Sequence, residues 1–136
     1  MKCQVSLELL VLTAAVAGVL VMWMPVVGNA QEALKETQGI QQQKQAWQQI
    51  VSLLKESEAL GKGTVLRMTV SFSTATNLSV EEGMMRMEFG EGKRRSFEEG
   101  VRANTEPGSW EFDPGEWETE ARNGEQRMKL IFRKRG

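Results

Sequence analysis

The strongest constraint on this chain is the run LLVLTAAVAGVLVMWMPVV at positions 9–27, in which Thr13 and the indole of Trp23 are the only hydrogen-bonding side-chain groups. An apolar stretch this long is not stable on the surface of a soluble domain. As a helix it measures about 28 Å, close to the roughly 30 Å hydrocarbon layer of a bilayer, so it is long enough to span one. Trp23 lies near one end, where an interfacial indole is favoured. Pro25 lacks a backbone donor and crowds the carbonyl one turn back, which predicts a kink or break just before Gly28-Asn29.

Downstream the helical period persists while the solvent changes. Ala33, Ile40, Trp47 and Leu54 recur every seven residues, Ile50 and Val51 widen that stripe, and the other faces are Gln, Lys and Glu. Gly61-Lys62-Gly63 supplies a helix stop. After it the period falls to two. In TVLRMTVSF, Leu66, Met68, Val70 and Phe72 share one face; Met85, Met87 and Phe89 share another, and Met128, Leu130 and Phe132 a third. Glycines at regular intervals separate these segments, and Asn123-Gly124 predicts a tight hairpin between a strand near residues 117–121 and a final strand reaching Arg133. The expected class is α+β: a long N-terminal helix, hydrophobic then amphipathic, carrying an antiparallel β head.

Composition removes several function classes from consideration. With 17 basic and 18 acidic side chains the chain is nearly neutral, so no nucleic-acid partner is expected. There is no histidine, and Cys3 is the single cysteine. A disulfide framework, a thiolate metal site and the usual base–nucleophile pairings are therefore not expected within one chain. The expectation is no catalytic residue, no metal and no cofactor, hence a protein that is not an enzyme.

The entry to the apolar run carries the sharpest signal. Glu8 alone is explained if Ser6 caps the helix and the carboxylate sits in the first turn, facing the positive end of the helix dipole. Gln4, Ser6, Glu8 and Leu12 together, however, spell Q-x-S-x-E-x-x-x-L, directly after a short tail containing Lys2. In this the chain resembles archaeal type IV pilin-like proteins with a class III signal peptide. That resemblance covers about the first 27 residues and implies cleavage between Cys3 and Gln4 by a prepilin peptidase, with the hydrophobic helix retained. Cys3 stands where the family usually has glycine.

Taken over onto this sequence, the resemblance implies a leader at 1–3 and a transmembrane and assembly helix at 4–27; the periodicity adds an amphipathic helix with its stop at 28–63 and a β-rich head at 64–136, which the resemblance places on the extracytoplasmic side. It further implies a single membrane span, lipid as the first environment, and then an extracellular filament built from copies of this chain or other pilin subunits. The implied machinery is an assembly ATPase with its membrane platform. In the family the N-terminal amine of a neighbouring subunit is the proposed partner of the carboxylate that Glu8 matches.

Two other readings of the same region compete. Gly28-Asn29-Ala30 places small residues before Gln31, as a conventional signal peptidase requires, and cleavage there would release a soluble β-domain protein. A plain single-span anchored protein is the other. Asn77-Leu78-Ser79 matches an N-glycosylation acceptor and is expected in a turn. Lys93-Arg94-Arg95 and Arg133-Lys134-Arg135 read as solvated strand ends, and Trp110 and Trp117 as core packing of a small β domain in preference to a sugar platform.

Overall fold

The computed structural model describes residues 2–90, 92, 95–102 and 104–136, with side chains from Ser6 onward. Among these residues one α-helix, α1 (Lys2–Leu60), is followed by seven strands: β1 (Val65–Phe72), β2 (Thr76–Glu81), β3 (Met84–Phe89), β4 (Arg95–Gly100), β5 (Gly108–Phe112), β6 (Gly115–Asn123) and β7 (Met128–Lys134). All strand pairs are antiparallel, in a three-stranded sheet ordered β1-β6-β7 and a four-stranded sheet ordered β4-β3-β2-β5. The expected class, an α+β pilin-like layout of one long helix followed by an antiparallel head, is what the chain forms.

The chain divides into two compact units, Met1–Gln38 and Gly39–Gly136. The boundary falls inside α1, so the helix residues from Gly39 onward belong with the strands. Within this second unit Gln43, Ala46, Trp47, Ile50, Leu53, Leu54 and Ser57 are buried, a spacing of threes and fours that defines one helical stripe. The stripe meets Val70 and Phe72 of β1, Leu78 and Val80 of β2, Met85 and Met87 of β3, Phe112 of β5, Ala121 of β6, and Met128 and Leu130 of β7 in a single core. Each of Ile50, Leu53 and Leu54 contributes roughly 1.5–3 kcal/mol by leaving water. The expected period-two faces all point inward, as the burial of Val70, Phe72, Met85, Met87, Phe89, Met128 and Leu130 shows.

Two side-chain amides fasten the helix to the strands. Near its start in this unit, buried Gln43 donates from Nε2 to Ser73 Oγ at 3.3 Å and Thr74 Oγ1 at 3.1 Å, and accepts from Thr76 Oγ1 at 3.3 Å. Ser73 Oγ in turn donates to the Gly39 carbonyl at 3.2 Å. At the other end Asn123 Nδ2 donates to the Ser57 carbonyl at 3.1 Å and the Gly61 carbonyl at 3.0 Å. Ser57 O is one of the orphan acceptors that every helix C-terminus leaves, and a buried strand residue satisfies it. The Asn123 backbone completes the joint, donating to Thr64 O at 2.9 Å and accepting from Gly63 N at 2.7 Å.

Three expectations need correction. The helix does not break at Pro25 or at Gly28-Asn29 but continues to Leu60, where Gly61 at φ +89° ends it as expected. An interior proline removes one backbone hydrogen bond and crowds the carbonyl one turn back, which bends a helix more readily than it ends one when apolar helix formers continue on both sides. The hairpin between β6 and β7 exists, but Asn123 is not a turn residue: it pairs with Met128 on the strands, and residues 124–127 form the loop, with Gly124 N donating to Arg127 O at 3.1 Å. Asn77 lies not in a turn but on β2, half-buried, with Glu88 of β3 on one side and Glu111 of β5 on the other. A central strand has no spare backbone edge, so the acceptor triplet sits on paired structure.

The connection between β4 and β5 also meets β7 where Thr105 bridges Met128 in parallel, with Glu106 N donating to Met128 O at 2.8 Å. Beyond that bridge β5 and β7 are held by rings: Trp110 meets Phe132 edge-on at 5.1 Å, and Phe132 meets Phe112 at 4.8 Å. The Trp110 indole folds over Gly108, where a Cβ would lie 2.8 Å from two ring carbons. Gly108→Ala is therefore expected to displace the indole and cost about 1–3 kcal/mol. A lowered Tm together with a shifted tryptophan emission maximum checks this.

Candidate assembly helix

Every residue from Ser6 to Gln38 is exposed. Between Leu7 and Val27 fourteen large apolar side chains are each more than half accessible, including Leu10, Leu12, Leu20, Met22, Trp23 and Met24. That is an apolar surface far beyond what soluble monomers tolerate, so it requires a cover of lipid or protein. By length and composition α1 is able to cross a membrane, and none of its apolar window is buried within the chain. The one hydroxyl in the run is internally satisfied, because Thr13 Oγ1 donates to Leu9 O at 2.9 Å and Leu10 O at 3.0 Å.

The structure changes the account of Ser6 and Glu8. The helix begins at Lys2, so Ser6 is an interior residue and not its cap, and no acidic residue lies in the first turn. Interaction with the helix dipole fades beyond that turn. The local explanation of Glu8, sufficient on sequence alone, does not apply to this helix. Glu8 stands on an exposed, otherwise apolar surface with Leu7, Leu9 and Leu12 around it. The side chains of Cys3 and Gln4 lie outside the described residues, and the backbone there is helical.

Elsewhere the sequence candidates take structural places. Trp117 is half-buried, edge-on to Phe112 at 5.0 Å, with Nε1 donating to Asp113 O at 3.1 Å and Lys134 Nζ 5.9 Å from its ring. Trp110 is half-buried against Phe132 as described above. Arg133, Lys134 and Arg135 are exposed, and Arg135 N donates to Glu116 O at 3.1 Å, which extends the strand pairing past β7. Arg95 is exposed at the start of β4, while Lys93 and Arg94 lie outside the described residues. Among the described residues no group of three His, Cys, Asp or Glu side chains is placed to hold a metal ion.

The sequence reading missed one buried charge. Glu120 on β6 is 3% exposed, directly across from Arg67 of β1. Its Oε2 accepts from Arg67 Nε at 2.9 Å and its Oε1 from Arg122 Nη2 at 2.8 Å. The hydrogen bonds from Arg67 and then Arg122 hold its carboxyl below the ordinary value, against the opposing effect of burial. A proton donor needs the opposite shift, so the environment of Glu120 suits a permanent acceptor. The cross-strand register is the signal that would have found it, since period two puts Glu120 on the solvent face of β6 and nothing within β6 announces Arg67.

In comparisons with known proteins, no family model, curated protein or solved structure matches the chain.

The pH dependence of the head follows from Glu120. Because its pKa is lowered on folding, its contribution is fully present above the unfolded carboxylate value near 4.5 and is lost as pH falls through the lower folded value. The expected result is that Tm of the natural protein drops on acidification below that value. A Glu120→Gln variant, less stable at neutral pH, should show a shallower drop when thermal melts are followed across the acid range.

Proposed function

We propose that the chain is a structural subunit of an archaeal type IV pilus-like surface filament, processed between Cys3 and Gln4 and assembled through its N-terminal helix. It acts as a polymer building block and not as a catalyst. The observation that carries this reading is the uncovered apolar half of α1 with a lone carboxylate, Glu8, on its otherwise apolar exposed surface. Lipid accounts for the apolar surface but not for Glu8. Bundling of like helices accounts for both if each buried Glu8 meets a positive charge, and cleavage before Gln4 creates one as a free amine. The Q-x-S-x-E-x-x-x-L pattern and the β head support the same assignment.

In this scheme the helix has two successive surroundings. Before assembly it spans the membrane with the head on the extracytoplasmic side; after assembly it lies against other subunits. A carboxylate buried without its partner costs several kcal/mol, and breaking a buried pair typically costs about 3–5 kcal/mol. That is enough to make subunit addition depend on Glu8 while leaving membrane insertion, which depends on the apolar run, untouched. The processing enzyme, ATPase and platform follow from the family resemblance.

The rival of signal-peptidase release after Ala30 has one observation in its favour. The second compact unit starts at Gly39, so such a cut leaves it whole. The mature N-terminus separates the readings: mass spectrometry should find Gln4 at the start, whereas Gln31 would establish the secreted form and Met1 the uncleaved anchor. Glu8→Gln should leave the protein in the membrane fraction and abolish its recovery in sheared surface filaments. Filaments at the natural yield from that variant would sink the assembly role.

A further inference from the structure

The joint between helix and head contains a reactive peptide. Asn123 is followed by Gly124, and glycine offers the least obstruction to attack by its own backbone nitrogen on the preceding side chain. In that reaction Gly124 N bonds to Asn123 Cγ, the amide nitrogen leaves with the proton as ammonia, and a cyclic imide forms. Water then opens the imide to aspartate or isoaspartate. No oxidant or cofactor is consumed.

The fold opposes each part of this chemistry. The side-chain amide is held by its two donations, to Ser57 O at 3.1 Å and Gly61 O at 3.0 Å. The Asn123 backbone is pinned on both sides by Thr64 O and Gly63 N, and the attacking nitrogen is occupied by Arg127 O at 3.1 Å. Asn123 is also 4% exposed, which keeps the hydrolytic water away. The restraints on Asn123 itself are released together when the Leu60 end of the head opens, since its side chain and backbone both bond to residues 57–64, and the Gly124 N–Arg127 O bond is released when the β6–β7 loop opens with it.

We propose that Asn123-Gly124 is a spontaneous deamidation site kept silent by the folded joint, and that its product locks an opened head out of the native state. Aspartate at this position would set a carboxylate against the carbonyls of Ser57 and Gly61 at the negative end of the helix dipole, with no donor to offer while ionised. Isoaspartate would add a methylene to the backbone of β6 and break its pairing with Met128. Either product removes the donor that satisfies Ser57 O. The chain thereby marks, irreversibly, copies whose joint has opened.

The test uses the full-length protein in detergent micelles at mildly alkaline pH, with peptide-mapping mass spectrometry and isoaspartate detection over time. Conversion at Asn123 in the native protein should be at least about tenfold slower than in urea-unfolded protein, the factor that an opening free energy of about 1.4 kcal/mol produces. In the unfolded chain Asn123 should convert before Asn29, Asn77 and Asn104, whose following residues are Ala, Leu and Thr. Equal native and unfolded rates, or faster conversion at another asparagine in urea, overturns the site. Converted protein returned to native buffer should fail to recover its original Tm, and Asn123→Asp should melt lower or fail to fold. Full recovery of Tm by both overturns the lock, and the conversion rates stand as a measurement on the natural chain whatever the variant does.

Discussion

Two buried amides, Gln43 and Asn123, set the relation on which the head depends. The apolar stripe from Ala46 to Leu54 supplies most of the burial, but hydrophobic contact is non-directional and does not by itself choose a register. The amides do. Gln43 ties the helix to the turn between β1 and β2, and Asn123 ties its C-terminus to the end of β6. A slip of the helix by one residue would leave both with donors and acceptors facing apolar neighbours, at about 1–3 kcal/mol for each unsatisfied group. The register of the helix therefore holds the two sheets in one arrangement around a shared core.

Much of this architecture was legible in the sequence, for reasons that can be assigned. The strands were visible because each buries one face, so Val70 and Phe72, or Met85 and Met87, alternate with polar residues at a period no helix can match. The helix stop at Gly61 was visible because few residues other than glycine take that backbone conformation. What was not legible depended on partners remote in sequence. Asn123 reads as a turn residue until Ser57 and Gly61 are known to lie beside it. Gln43 is one among a cluster of glutamines, and only the proximity of Ser73, Thr74 and Thr76 marks it as the buried one. Glu120 is an ordinary outward glutamate until β1 brings Arg67 across from it.

At the candidate assembly helix the balance differs. Its apolar character and its length were plain from composition alone, and the exposure of all its large side chains follows directly. The structure sharpened the reading of Glu8, because in the uncleaved chain a helix starting at Lys2 leaves Ser6 in its interior and not at its cap. The two halves of α1 thus solve different problems with one backbone. One half presents apolar surface that no other described residue covers, and the other buries a stripe while surrounding it with amides and charges.

The Asn123 joint also imposes an order on synthesis. Its partners at the end of the helix are made 66 and 62 residues earlier, so the helix end stays open until almost the whole chain has been made. During that interval the cover of Trp47, Ile50, Leu53 and Leu54 is incomplete, because β6 and β7 supply Ala121, Met128 and Leu130 last. Long-range closure of this kind is slow compared with helix formation. The glutamines and lysines that surround the stripe then act as a solubilising jacket for a nascent segment, which gives the QQQKQAWQQ composition a role during biogenesis as well as in the finished fold.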